Sequence, residues 1–166
     1  MSKSQKFGID CGATKVMAQS VIYDSTSQII QPTDLNFEYN YSYSSFWNPN
    51  FIPIPLEIQK NELKNGVLNI KKAERIQASA IVEIIKQLIS KLNSKDIALC
   101  YPGLKSRSGI ILMANGPRIP DLIDQIPELK TIYHDSECCL LGEINSIVGR
   151  IKHSKNTIYI GGGTGI

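Results

Sequence analysis

Two carboxylates and two glycine turns could carry the chemistry of this chain. The first turn, Phe7-Gly8-Ile9-Asp10-Cys11-Gly12-Ala13-Thr14-Lys15, is an apolar strand running into a glycine with a hydroxyl residue behind it. The second, Ile158-Tyr159-Ile160-Gly161-Gly162-Gly163-Thr164-Gly165-Ile166, repeats that design on the final residues. Backbone N–H groups in such turns can wrap phosphate oxygens. An apolar strand delivers Asp10 to its carboxyl end, where ligands gather in open α/β sheets. A carboxylate beside phosphates calls for a cation, so Asp10 points to Mg²⁺ held through water. A plain β-hairpin turn containing Asp-x-Gly explains the same residues without any chemistry.

The second carboxylate, Asp135, stands between a short apolar stretch at 131–133 and a helix expected over 136–151. It reads either as an N-cap satisfying helix N–H groups or as an ionised carboxylate kept charged by the helix dipole. Such a carboxylate in a cleft can take the proton of an alcohol as the alcohol attacks a phosphoryl group. Pro102-Gly103 and Asn115-Gly116-Pro117-Arg118 are polar turns that could bind a substrate, and each reads equally as a turn alone. His134 adjoins Asp135 and could contact a substrate or be a satisfied polar residue at a strand end. His153 falls in the basic stretch with Lys152 and Lys155 and reads as surface. Neither histidine has metal-ligand spacing.

The elements that must position these groups follow from the patterning. Residues 6–9, 16–23 and 29–37 read as an antiparallel three-stranded meander, with the turn-rich Asp24-Ser25-Thr26-Ser27 between the last two. Residues 39–50 form an aromatic, polar, uncharged loop, read as a surface loop pinned by its aromatics or as a substrate or interface loop. In Phe51-Ile52-Pro53-Ile54-Pro55 the alternating prolines exclude helix and central strand. The clearest helix spans 73–93. Ile76, Ala80, Ile84, Leu88 and Leu92 form its apolar stripe, widened by Ile81, Ile85 and Ile89, which suits packing on a sheet. Residues 97–101 read as a buried strand, 109–114 as a further apolar run, and 119–129 as a mixed segment with a helix start at Pro120. The helix over 136–151 buries Leu140, Leu141, Ile144, Ile147, Val148 and Ile151, and 157–160 is the last strand. The sum is an α/β layer with a mixed sheet.

Composition narrows the class. The 166 residues suit one domain, with 42% hydrophobic and 20% charged, a globular rather than disordered balance. The net charge of +3 comes without a dense Lys/Arg block, so nucleic-acid binding is not implied. No apolar run is long enough for a signal peptide or a membrane span, and a cytoplasmic location is the expectation. Cys11, Cys100, Cys138 and Cys139 lack zinc-site spacing and read as buried apolar residues in a reducing compartment.

Taken together, the motifs resemble the N-terminal half of a ROK-family, glucokinase-like sugar kinase, within the actin-like ATPase superfamily that includes hexokinase. The family opens on a motif close to G-I-D-x-G-G-T-K, matched from Gly8 to Lys15 with Ala13 in place of the second glycine. A strand ending in P-G is matched by Pro102-Gly103. A segment like G-x-v-l-x-N-x-P-N-i-P is matched from Gly109 to Pro120, with Arg118 in place of the second Asn. The catalytic stretch resembles N-D-A-N-x-x-x-x-G-E, here His134-Asp135-Ser136-Glu137-Cys138-Cys139-Leu140-Leu141-Gly142-Glu143. The motif G-T-G-I-G begins at Gly163-Thr164-Gly165-Ile166.

The resemblance implies a ribonuclease H-like, actin-like ATPase lobe: a mixed five-stranded sheet with flanking helices, and an insertion near 39–65. It implies ATP-dependent phosphorylation of a hexose or amino-sugar hydroxyl, with ATP and Mg²⁺. Asp135 falls on the general base and Asp10 on the Mg²⁺-associated aspartate. Gly12, Thr14 and Lys15 fall on the first phosphate loop, and Gly163, Thr164 and Gly165 on the second. Gly103, Asn115, His134 and Glu137 fall on sugar-binding positions, His134 and Glu137 standing where the family has Asn. The implied partners are a sugar, a C-terminal lobe absent from these residues, and a homodimer, with neither nucleic acid nor membrane. Phosphoryl transfer needs both lobes, so the chain alone is expected to be inactive. Two other readings stand beside this one. A non-catalytic sugar-sensing, regulatory or interaction member keeps the lobe without the chemistry, although only six residues precede Phe7, too few for the helix-turn-helix that opens ROK-type repressors. An acylamino-sugar kinase of a neighbouring family keeps fold and base but changes the substrate.

Overall fold

The computed structural model describes residues 6–151, 156–158 and 160. Its centre is a five-stranded sheet of β1 (Lys6–Cys11), β2 (Lys15–Asp24), β3 (Ile29–Asn40), β4 (Ile97–Cys100) and β7 (Ile132–Tyr133), in the order β3-β2-β1-β4-β7. The first three strands form the expected antiparallel meander. β4 then joins β1 in parallel, and β7 joins β4 in parallel. Pro32 is tolerated because β3 is an edge strand, where a missing N–H costs no ladder bond. A separate two-stranded ribbon pairs β5 (Leu104–Lys105) with β6 (Ile110–Leu112), which is where the apolar run at 109–114 goes.

Alternation in β1 decides the layering. Phe7, Ile9 and Cys11 are buried while Gly8 and Asp10 are exposed, so one sheet face makes the main core and Gly8 and Asp10 point to the other. α2 (Lys72–Ile89) covers the core face, burying Ile81, Ile84, Ile85, Leu88 and Ile89 against Phe7, Ile9, Val16, Ala18 and Leu99. Each such Ile or Leu contributes roughly 1.5–3 kcal/mol relative to exposure. Ile76, expected in the stripe, is instead 41% exposed. The first turns of α2 bury Glu74 and Gln77, because those side chains bond Arg118 and the Asn48 amide.

The aromatic loop is pinned as anticipated. Tyr41, in a 3-10 turn (Tyr41–Tyr43), is wholly buried and packs its ring 5.5 Å from that of Trp47. Ser44 donates to Glu83 of α2, while Tyr43 and Phe46 remain exposed. Next comes a helix the sequence patterning does not reveal, α1 (Leu56–Lys64), entered through Pro55. The proline run ends where that helix begins. The mixed segment after Pro120 holds only the short α3 (Leu122–Gln125).

α4 (Asp135–Asn145) is shorter than the expected 136–151 and lies on the other side of the sheet from α2. Leading away from β7, it reaches β3, where the Ile147 amide bonds the Ile30 carbonyl at 2.9 Å. Beyond the helix, Gly149 packs against its last turn. A Cβ there would lie 2.2 Å from the Glu143 carbonyl oxygen. No residue of α4 is buried among the described residues, and Leu141, Ile147 and Val148 are exposed. This corrects the expected apolar face: helical spacing marks a stripe, but the sheet covers it only in part, leaving Leu140, Ile144 and Ile151 half-buried. Thr157, Ile158 and Ile160 are not in the sheet, and Ile158 and Ile160 are exposed. The expected strand over 157–160 therefore does not form among the described residues. No helix among them is long and apolar enough to cross a membrane.

Candidate functional site

Parallel pairing of β1, β4 and β7 brings three strand ends to one edge. Asp10 stands opposite Cys100, and Cys100 opposite Tyr133. The residues that follow each strand therefore converge: Gly12 after β1, Pro102-Gly103 after β4, and His134-Asp135 after β7. Positions far apart in sequence become neighbours through the register alone. Below this edge, on the sheet face opposite α2, lies a cleft of about 200 Å³ lined by Gly8, Asp10, Ala98, Cys100, Tyr133 and Cys138 among others. Small side chains at Gly8 and Ala98 leave it room.

Asp10 points from an exposed strand position, and Cys100 Sγ donates to its Oδ1 at 3.2 Å. Burial pushes the Cys100 thiol up, and its bond to Asp10 adds to that. Cys100 is therefore a neutral thiol that donates to the carboxylate and holds it in place, rather than a reactive thiolate. A single exposed carboxylate could hold a hydrated Mg²⁺ through water. No group of three or more His, Cys, Asp or Glu among the described residues could cage a metal ion.

The turn after β1 closes through the Gly12 amide on the Lys15 carbonyl at 2.9 Å. Gly12 does not adopt positive φ. Lys15 opens β2, and its ammonium pairs with Glu38 of the neighbouring β3 at 2.8 Å rather than across the turn. Thr14 holds the aromatic loop by accepting from the Tyr41 amide at 2.9 Å.

Gly103 is the turn residue that the backbone demands. Its φ is +90°, and a Cβ would lie 2.5 Å from the Leu112 carbonyl oxygen. This packs the Gly103 turn directly onto β6 and the Met113 side chain beside it. Asn115 is exposed at the tip of that turn.

At the third strand end, His134 rather than Asp135 is the N-cap of α4. The Ser136 amide donates to His134 Nδ1 at 3.2 Å and to Asp135 Oδ1 at 2.8 Å. His134 Nδ1 also lies 2.7 Å from Asp135 Oδ1 and 2.7 Å from Ser136 Oγ. A proton on Nδ1 bonds Asp135, and its absence lets the nitrogen cap the helix. Asp135 occupies the first helical position, half exposed, where the helix dipole favours its charge. Glu137 is exposed in the same turn.

Two further groups stand at this site without a clear signal in the sequence. Lys105 donates to the Gly103 carbonyl at 2.9 Å. Burial lowers its pKa, opposed by the charges of Asp135 and Glu137. A lysine two residues past Pro-Gly reads as solvated charge. The other is Cys100, whose residue type reads as a small apolar filler. Of the four cysteines only Cys11 and Cys100 are buried, while Cys138 is intermediate and Cys139 exposed, which corrects the expectation that all four are core. Gly163, Thr164, Gly165 and His153 lie outside the described residues.

The chain matches no protein-family model and no curated protein sequence. Solved structures do resemble it. The inorganic polyphosphate/ATP-glucomannokinase from Arthrobacter sp. strain KM superposes with a TM-score of 0.52 at 13% identity, over 86% of this chain and 48% of that one. A ROK family glucokinase from Streptomyces griseus, solved with glucose and AMPPNP, gives a TM-score of 0.43 at 14% identity, over 86% of this chain and 36% of that one. The match thus spans less than half the length of either structure. The likeness to the glucomannokinase is one of fold: the mixed five-stranded sheet with flanking helices is that of a sugar-kinase lobe.

Proposed function

We propose that this chain is the N-terminal lobe of a ROK-type, ATP-dependent sugar kinase that phosphorylates a hexose or amino-sugar hydroxyl. The observation that carries the reading is the convergence of Asp10, Gly103 and Asp135 on one edge, produced by the parallel register of β1, β4 and β7. In this reading Asp135 accepts the proton of the sugar hydroxyl while that oxygen attacks the γ-phosphorus of ATP and ADP leaves. The N-terminus of α4 favours negative charge at this position, and His134 fixes its direction. Asp10 would hold Mg²⁺ through water, and the metal, when bound, neutralises phosphate charge. Gly12, Thr14 and Lys15 shape the first phosphate loop, with Gly163, Thr164 and Gly165 supplying the second. Asn115 and the Gly103 turn bind sugar hydroxyls, alongside His134 and Glu137. Lys105 brings a cation to the edge where phosphoryl charge develops.

The exposed apolar residues Leu141, Ile147 and Val148 support a second lobe packing on α4. The test uses the full-length polypeptide purified from its native source, whose mass is measured first. It is then assayed for ADP release with Mg-ATP and a panel of glucose, mannose, N-acetylglucosamine and N-acetylmannosamine. Release that depends on one of these sugars and disappears in D135N supports the reading. Sugar binding by calorimetry without ADP release supports the sensing member instead.

A further inference from the structure

The turn that carries Asn115 is held at both ends by polar side chains from the segment between β3 and the middle of α2. At the N-terminal end, Gln59 of α1 is wholly buried and behaves like a neighbouring strand. Its Oε1 accepts from the Met113 amide at 2.9 Å, and its Nε2 donates to the Met113 carbonyl at 2.7 Å. Nε2 also donates to the Ile54 carbonyl at 2.5 Å, which ties the proline run to the same point.

At the C-terminal end stands Arg118, whose side chain has no exposed surface. Its Nε and Nη2 donate to the two carboxylate oxygens of Glu74 at 2.8 and 2.9 Å. The Arg118 amide donates to Glu74 as well, at 2.9 Å. Nη1 donates to Glu62 of α1 at 2.5 Å, and Nη2 to the Asn69 carbonyl at 3.2 Å. The guanidinium fork thus fastens the turn to both α1 and α2 at once. Between these anchors lie only Ala114, Asn115, Gly116 and Pro117. On the near side, Gly103 packs against Leu112, Ile110 and Met113, so the N-terminal anchor of the clamped turn abuts the strand end that lies beside Asp10 and Asp135.

A buried ion pair this well bonded is weak grounds for stability, since apolar residues would serve as well. A directional fork does what an apolar side chain cannot: it sets the angle of the backbone it grips. We infer that Gln59, Glu62 and Glu74, acting through Met113 and Arg118, are positioning residues for Asn115, and that the inserted helix α1 thereby sets sugar affinity. The inference rests on the sugar-kinase reading.

It is tested on the full-length protein with E62A and E62Q, because Glu62 is the outermost member of the clamp and its loss leaves Glu74 on Arg118. The readouts are amide exchange over residues 113–118 and the kinetic constants for the sugar that the wild type phosphorylates. Faster exchange confined to that turn is expected. The sugar KM should rise about tenfold in E62A and about threefold in E62Q, with kcat and the ATP KM within about twofold. If E62A fails to fold, E62Q alone decides. An active wild type whose variants keep the sugar KM within about twofold, or lose kcat instead, overturns the inference alone. A wild type inactive on every sugar of the panel overturns the kinase reading and this inference with it.

Discussion

Asp10 and Cys100 stand side by side on adjacent parallel strands, joined by a thiol-to-carboxylate hydrogen bond of 3.2 Å. The pair fixes one carboxylate oxygen at the strand edge and ties the candidate site to the sheet. Because burial keeps the Cys100 and Cys11 thiols protonated, their reactivity should be low. Timed alkylation with iodoacetamide, read by peptide mass spectrometry, should label Cys139 first, Cys138 more slowly, and Cys100 and Cys11 only on unfolding. Early labelling of Cys100 would show that α4 opens away from β4.

Asp135→Asn in the full-length protein should lower kcat by about 10²–10⁴-fold, the usual worth of a general base. The amide keeps an acceptor for the Ser136 N–H, so stability should fall by only about 0.3–1 kcal/mol, the value of a charge at a helix N-terminus. Steady-state ADP release and a denaturant melt on the same preparation separate the two effects. Unchanged turnover would remove Asp135 from the mechanism.

Gly103→Ala should cost about 2 kcal/mol or more, because it forces a side chain into left-handed backbone and against the Leu112 carbonyl. Gly142→Ala is the contrasting substitution. That glycine sits inside α4 with nothing within 4 Å of an added Cβ, and the change should gain about 0.5–1 kcal/mol. Urea denaturation of both variants checks the sign of each.

Arg118 holds the Glu62 carboxyl below its ordinary value of 4.5. In acid the unfolded chain therefore takes up a proton before the folded one does, and stability rises with pH across that window. The contribution is present above the ordinary value of 4.5 and is lost as pH falls through the lower folded value. Urea midpoints measured from about pH 6 down to pH 3 should fall less steeply in E62Q than in the wild type.

Arg118→Met strands Glu74 as a buried, unpaired carboxylate and should cost about 3–5 kcal/mol. Converting both, as R118M/E74M, should recover much of that loss, since a buried pair replaced by apolar residues is often near neutral. Equal losses in the single and double variants would show that the arginine stabilises through contacts other than the Glu74 pair.

Local chemistry is enough to determine much of this protein. Alternation in β1 and β2, the turn at Asp24 and the wide apolar stripe of α2 are short-range patterns, and each produces the element it predicts. The resemblance carried by the five motifs points to a sugar-kinase lobe, and the sheet has that fold. Other features depend on what packs against what. α1 is not legible because Leu56–Lys64 is mostly polar, and its one decisive core residue is Gln59, whose burial is offset by two backbone bonds to a residue 54 positions away. Arg118 looks like a departure in a turn motif, yet it is among the most buried side chains of the chain because Glu62 and Glu74 meet it there. α4 shows the converse. Its apolar spacing is plain, but spacing marks only which residues share a face, and burial needs a partner surface. The gathering of Asp10, Gly103 and Asp135 likewise comes from β1, β4 and β7 lying parallel, a long-range pairing that no window along the chain contains.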